Sequence, residues 1–417
     1  MISRVLAADL PSRVGQHVSI AGWVHRRRVL KSVTFLVVRD RSGLAQVVTT
    51  GPGVPEETVI SVSGLVVANP QAPGGAELTS PAVSLLSAPS APPPFDLYRP
   101  GYSATLPTIL DNASVALRHP LLRGQFEVTA ASAAGFRSTL DSLEFTEIHT
   151  PKIVGSATES GSSVFGVSYF GRRAFLAQSP QLFKQALVGV FERVYEVGPV
   201  FRAEPHDTGR HLAQYTSLDA ELGFISSHVD VMAVLRTVVA GMITSATPAL
   251  ARLSVAPPTV PEEIPSLHFT AALELLGDSG AVDLSPAHER ALSEWALREH
   301  GSEFLFVTGY PMAKRPFYTH PDPTRPGYSN GFDLLFRGVE LVTGGQRLHN
   351  HADYLAALAA RGEDPEPYAS YLDTFRYGMP PHGGFAMGLE RWTAGLLGVS
   401  NIRQVTLFPR DLHRLNP

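Results

Sequence analysis

The chain has no cysteine in 417 residues. That absence removes disulfides, thiolate zinc sites and cysteine nucleophiles, so any chemistry must come from histidine, carboxylates, arginine and lysine. There is also no GxxxxGK[ST] and no GxGxxG run. Neither common phosphate-cradling loop is present, and a bound nucleotide would have to be held by side chains. Long apolar runs are scarce. The N-terminal MISRVLAADLPSR has no apolar signal core, and the most apolar stretch, Val231 to Ala246, is broken by Arg236 and too short to span a bilayer. A cytoplasmic protein without membrane association is expected. Positive charge is not in excess either: the formal charge of -4 argues against a general nucleic-acid coat and restricts any such contact to a local patch. No internal repeat is found.

What is present is enough apolar residue, 44%, for a real core in each of two units. Residues 16 to 88 read as short strands: His17 to Val24, Thr34 to Asp40 and Leu44 to Val48, with glycine and proline between them. Several strands without a long helix suggest a small barrel. Its aromatic and basic residues suit one that stacks single-stranded bases. One local basic cluster, His25-Arg26-Arg27-Arg28 with Lys31, lies between two of these strands and is a candidate nucleic-acid contact; alone it reads as a solvated hairpin. APSAPPP, Ala88 to Pro94, cannot continue a strand or helix easily and reads as a semi-rigid linker. Domains are therefore expected at 1–88 and 116–417, with a linker or hinge at 89–115.

Beyond the linker, Phe126, Ala130, Ala133, Leu140 and Leu143 fall at helical spacing, and Phe145 to Pro151 follows as an extended strand. Ser179-Pro180 opens a helix at Gln181, and Ser285-Pro286 opens another that Gly301 closes. Strands are expected at Arg193 to Glu204, Thr216 to Phe224, Phe332 to Val342 and Val405 to Phe408. Long strands and helices without a regular βα rhythm favour an antiparallel sheet flanked by helices.

Three clusters carry chemistry. Phe201 to Leu212 supplies two arginines, two histidines and two acids around a turn between strands. Arginine forks match phosphate oxygens and stay charged, so a phosphate clamp is one reading and an exposed charged hairpin the other. In Asp333 to Arg347, strand parity alone does not put Asp333 and Glu340 together. A bulge or irregular turn near Gly338 is needed to converge them on a magnesium ion. Gly383 to Trp392 reads as a glycine turn opening a helix, with Arg391 in its first turns where the dipole favours anions.

A chain that places FRAE at Phe201 to Glu204, GGQR at Gly344 to Arg347 after a strand acid, and GLER at Gly388 to Arg391 resembles a class II aminoacyl-tRNA synthetase over essentially its whole length. Pro151 is similar to the class's first motif, which forms a dimer interface. Arg202 to Phe224 is similar to the second and Gly383 to Trp392 to the third. QSPQLFKQ, Gln178 to Gln185, resembles the aspartyl enzymes, and the short length without an insertion resembles the archaeal type. The resemblance implies an α+β chain: an N-terminal OB-fold β-barrel that binds the anticodon, then a class II catalytic domain with an antiparallel β-sheet flanked by helices. It implies a homodimer that activates L-aspartate with ATP and Mg2+.

Position by position, the resemblance places Glu159 on a mobile loop at the substrate ammonium. Gln181, Lys184, Arg202, Thr343 and Arg347 surround aspartate, and Lys184 with Arg347 would form a two-cation pocket that rejects neutral asparagine. Arg202, Glu204, Arg210, His211, Leu212, Tyr215, Glu340, Gly388 and Arg391 would surround ATP, with Tyr215 stacking on adenine and Arg391 facing the γ-phosphate. Glu340 and Thr343 resemble the metal site, which Asp333 supports. Arg202, Glu340 and Arg391 would carry catalysis. Departures are Gln214 where many relatives have Glu, Ser160 in a loop that is often TEGG, and Thr343 for a common Ser.

Anticodon contacts are expected from Trp23, His25, Arg26, Phe35 and Pro81. Relatives restricted to tRNA(Asp) resemble GWVW where this chain has Gly22-Trp23-Val24-His25, and they tend to have Lys at Pro81. The pair is similar to the non-discriminating subtype, which also charges tRNA(Asn) and leaves asparagine to a tRNA-dependent amidotransferase. Weighed against this are an asparaginyl enzyme of the same architecture, a non-catalytic tRNA-binding paralogue, an ATP-dependent amino-acid ligase, and a histidine metal site from His206, His211, His349 and His351.

Overall fold

The computed structural model describes residues 4–51, 53–156, 163–205 and 207–416. The chain divides into two compact units, the first ending at Leu121. In the first, β1 (His17–Val29), β2 (Thr34–Arg39), β3 (Leu44–Thr49), β4 (Val59–Ala68) and β5 (Ala76–Ser87) close into a barrel of order β1-β2-β3-β5-β4. Only the β3–β5 pair is parallel. Period-two patterning drives the closure: Val18, Ile20, Val24, Leu36, Val38, Val47, Ile60 and Val62 all point inward and are essentially fully buried.

One bulge matters. Val24 pairs with Val38 and Arg26 with Val37, so His25 is the extra residue in β1. The bulge turns His25 inward behind Val24. It is 7% exposed, Arg39 Nη1 donates to its Nδ1 at 2.9 Å, and Tyr98 meets it edge-on at 5.4 Å. Of the five expected anticodon contacts, Trp23 and Arg26 are exposed and Phe35 and Pro81 are half-buried. His25 is the exception: its ring lies inside the unit and cannot stack on a base.

The expected linker also folds back. Arg118 bridges to Glu57 at 2.8 Å alongside Arg39, and Leu97 is fully buried. The first unit therefore runs on through two short helices, α1 (Leu106–Asp111) and α2 (Ala113–Ala116). Burial and the adjacent Arg39 push the His25 pKa down to about 4. The native state thus prefers the neutral ring. Its contribution is complete above about pH 6.5 and is lost as pH falls toward 4, because only the unfolded chain takes up the proton. Urea unfolding of the wild type should lose roughly 2–3 kcal/mol more than His25→Asn between pH 7 and 4; parallel losses would contradict this.

The second unit opens with α3 (Pro120–Ser142), which begins two residues before the division. Strands β6 (Thr146–Glu147), β7 (Ile153–Val154), β8 (Gly166–Tyr169) and β9 (Arg172–Leu176) lead to α4 (Gln181–Phe191). Then come β10 (Arg193–Phe201), β11 (Gln214–Gly223), α5 (His228–Arg252), β12 (Ser266–His268), α6 (Phe269–Leu276), α7 (Pro286–His300) and β13 (Phe304–Thr308). The chain closes with β14 (Gly331–Phe336), β15 (Val339–Gln346), α8 (His351–Arg361), α9 (Ala369–Thr374), β16 (His382–Gly388) and α10 (Leu389–Leu397).

The main sheet has the order β12-β13-β14-β15-β16-β11-β10-β6. Its six central strands are antiparallel, and the edge strands β12 and β6 pair in parallel. Phe136, Leu140, Leu235, Met242, Phe332, Phe385 and Trp392 form the core between sheet and helices. By length and composition α5 could cross a membrane. Here its apolar stripe, Val231, Leu235, Val238, Val239 and Met242, packs into this core.

Four local expectations change. Phe332 to Val342 is a hairpin rather than one strand, because Arg337 and Gly338 both take positive φ, 50° and 82°, as in a type I′ turn. The glycines at 383 and 384 lie within the central strand β16 rather than in a turn. Only Thr146 and Glu147 of the segment to Pro151 pair as strand; the Thr150 amide and hydroxyl bind Glu196 instead. Val405 to Phe408 is not a strand. Ile402 and Val405 pack on Leu212 in a 3-10 turn, and the Thr406 hydroxyl donates to Ile402 O at 2.7 Å.

Candidate active site

Strands β11, β15 and β16 form the floor of a cleft with two adjoining cavities open to solvent, which share part of their lining. The first is lined by Arg202, Glu204, Arg210, His211, Leu212, Tyr215, Glu340, Gly388 and Arg391, with Thr343 and Glu390. All nine residues assigned to ATP on sequence thus share one cavity. The second is lined by Gln178, Gln181, Arg202, Asp219, Arg315, Thr343 and Arg347. Arg202, Tyr215, Ser217, Glu340 and Thr343 face both.

Antiparallel pairing places the groups. Arg202 follows β10, where its amide donates to Ala213 O at 2.9 Å, and its guanidinium carbon lies 5.6 Å from the Tyr215 ring centroid. In the β14–β15 hairpin, Asp333 pairs with Thr343, and the register then shifts between Leu334 and Leu335. That bulge changes the parity that kept Asp333 and Glu340 apart. The Thr343 hydroxyl donates to Glu340 Oε1 at 3.0 Å, and Arg391 Nη1 donates to Glu340 O at 2.8 Å.

Asp333 is 5% exposed and paired with Arg315 at 3.1 Å. Burial raises its pKa to about 6, against the pull of Arg315 and with the Glu340 charge adding. Glu340 and Thr343 therefore offer a carboxylate and a hydroxyl to the cavity, with a second carboxylate behind them. Magnesium takes few protein ligands and completes its shell with water and phosphate oxygens, so this donor set fits. No cluster of three or more His, Asp or Glu residues able to hold a metal occurs among the described residues. His206 and Glu159 lie outside them.

The expected two-cation pocket is organised differently. Arg347 lines the second cavity, with its Nε donating to Glu221 Oε1 at 3.0 Å. Lys184 stands behind it, 1% exposed. Its Nζ lies 3.0 Å from Asp219 Oδ1, 3.3 Å from Glu221 Oε2 and 3.0 Å from Phe385 O. An ammonium buried this deeply needs acidic partners, and β11 supplies them. Glu221 joins both cations. Burial works to raise its carboxyl, yet Arg347 and Lys184 hold it below its ordinary value. Glycine at 384 is required here, since a Cβ would stand 2.1 Å from Glu221 Oε2 and from Ala220 O.

Asp219, Glu221, Arg315 and Glu289 were not found from sequence. A signal existed for two of them: Ser217, Asp219 and Glu221 alternate along one strand, and all are buried. Arg315 and Glu289 reach the site only through tertiary folding.

With this geometry in place, comparison with known proteins is direct. A family model described as tRNA synthetases class II (D, K and N) matches residues 106–412, and one for an OB-fold nucleic acid binding domain matches 18–86. The chain is 47% identical to an aspartate–tRNA(Asp/Asn) ligase of Thermus thermophilus, over 99% of this chain and 100% of that one. It is 40% identical to a protein of the same name from Aeropyrum pernix, covering 99% and 98%. Among solved structures, asparaginyl-tRNA synthetase from Pyrococcus horikoshii with asparaginyl-adenylate superposes with a TM-score of 0.91 at 29% identity, covering both chains completely. Aspartyl tRNA synthetase from Entamoeba histolytica gives 0.86 at 28%, covering 100% of this chain and 93% of that one.

Proposed function

The chain belongs to the class II tRNA synthetases (D, K and N), and from that premise we propose that it activates L-aspartate with ATP and esterifies it to tRNA(Asp) and tRNA(Asn). The observation that carries the reading is the paired cavity: nine ATP-type residues in one half, and Arg347, braced by Glu221, which Lys184 also binds, in the other. The names of the similar ligases support the dual tRNA range.

In the proposed reaction an α-carboxylate oxygen of aspartate attacks the α-phosphorus in line and the bond to pyrophosphate breaks. Arg202, at the junction of the cavities, neutralises charge on the α-phosphate in the transition state. Arg210, His211 and Arg391 hold the leaving phosphates, and Arg347 receives the substrate's side-chain carboxylate. Glu340 and Thr343, with Asp333 behind, would hold Mg2+, which would supply charge neutralisation on the phosphates when bound. The 3'-hydroxyl of the tRNA terminal adenosine then takes the aspartyl group and AMP leaves. The barrel is assigned to the anticodon, with Trp23 and Arg26 as its exposed contacts. The enzyme is assigned as a cytoplasmic homodimer whose aspartyl-tRNA(Asn) passes to a tRNA-dependent amidotransferase.

Charging assays with labelled Asp and Asn on purified tRNA(Asp) and tRNA(Asn) test this. Aspartate should be esterified to both tRNAs. Charging of tRNA(Asp) alone would overturn the dual range, and preference for asparagine would overturn the amino-acid assignment.

A further inference from the structure

Helix α7 places one carboxylate against two residues that line the first cavity. Its start is fixed by a capping box in which the Ser285 hydroxyl accepts from the His288 amide and the His288 ring accepts from the Ser285 amide. That cap places Glu289 in the first turn, 8% exposed. A single oxygen, Glu289 Oε2, accepts from Arg210 Nη1 at 3.3 Å and from the Glu340 backbone amide at 3.0 Å.

Those two partners come from different parts of the fold. Arg210 sits in the connection between β10 and β11, and Glu340 lies near the start of β15. Both line the first cavity, and Glu289 does not. The Glu340 backbone is thus held on both sides of its Cα, its N–H by Glu289 and its C=O by Arg391. Arg210 is a long side chain, about one-third exposed, on an irregular loop; Glu289 is its acidic partner. Holding such a side chain in place lowers the ordering cost of binding an anion.

We propose that Glu289 is a positioning residue for nucleotide binding. It presets Arg210 for the terminal phosphates and holds the backbone of Glu340, without touching substrate. The proposal rests on reading the first cavity as the ATP site.

The test is aspartate-dependent ATP–pyrophosphate exchange together with equilibrium binding of ATP and Mg2+ without amino acid. It uses full-length wild type, E289Q, E289D, R210A and the R210A/E289Q double variant, each with a thermal midpoint. E289Q should raise the KM and Kd for ATP about tenfold while KM for aspartate stays within about twofold, and E289D should recover part of the loss. On the R210A background E289Q should add no more than about twofold, because the residue it positions is already gone. Three results would overturn the proposal: ATP affinity of E289Q within about twofold of wild type, KM for both substrates rising together with a lowered midpoint, or an undiminished E289Q effect in the double variant. Exchange driven by a different amino acid would refute the aspartate assignment alone, since Glu289 is scored on ATP. Absence of ATP binding by the wild type would overturn both.

Discussion

Lys184→Met is expected to abolish measurable aspartate activation and to destabilise the second unit by about 3–5 kcal/mol. The ammonium is 1% exposed and compensates Asp219 and Glu221, which are equally buried. Deleting it strands two carboxylates in a low-dielectric interior. Arg347, already paired with Glu221, would then carry more of that carboxylate's compensation and would hold the substrate's carboxylate less tightly. ATP affinity should change little, because Lys184 does not line the ATP cavity. Glu221→Gln added to Lys184→Met should recover much of the stability without recovering aspartate selectivity. That combination separates fold from function. Urea unfolding, ATP binding and exchange assays with aspartate and asparagine provide the readouts. Exchange with aspartate retained within about tenfold would show that Lys184 has no part in selection.

This cluster also marks the limit of what the sequence discloses. Arg202, Arg210, Glu340 and Arg391 were legible because each sits in a short motif whose spacing fixes its place on a strand end, loop or helix start. Alternating patterns located the barrel for the same reason, since inward and outward residues are read one strand at a time. Register is not encoded that way. One inserted residue turns His25 inward. A second irregularity, opposite Leu334 and Leu335, brings Asp333 and Glu340 to the same face. Both are agreements between two strands, which neither strand states alone. The glycines at 383 and 384 read as a turn because glycine usually punctuates. Their real cause is close packing against β16: the Gly345 carbonyl, Val231 and Ile225 at Gly383, and the Glu221 carboxylate and Ala220 carbonyl at Gly384. Glu289 and Arg315 come from segments with no motif, so only the folded chain brings them to the cleft.

Arg202→Ala should lower kcat for aspartate-dependent exchange by about 10²–10³-fold, with much smaller changes in KM for ATP and for aspartate. In the proposed mechanism its position at the junction of the cavities lets the guanidinium neutralise charge as it develops on the α-phosphate, more than it anchors either substrate in the ground state. The backbone there is held independently by the Arg202–Ala213 hydrogen bond, so the variant should still fold. Arg202→Lys should recover only part of kcat, because an ammonium restores the charge but not the planar fork. If instead Arg202→Ala raised both KM values and left kcat intact, the residue would bind substrate and transition state equally. The electrostatic burden of the reaction would then fall on Arg391 and the Glu340 site.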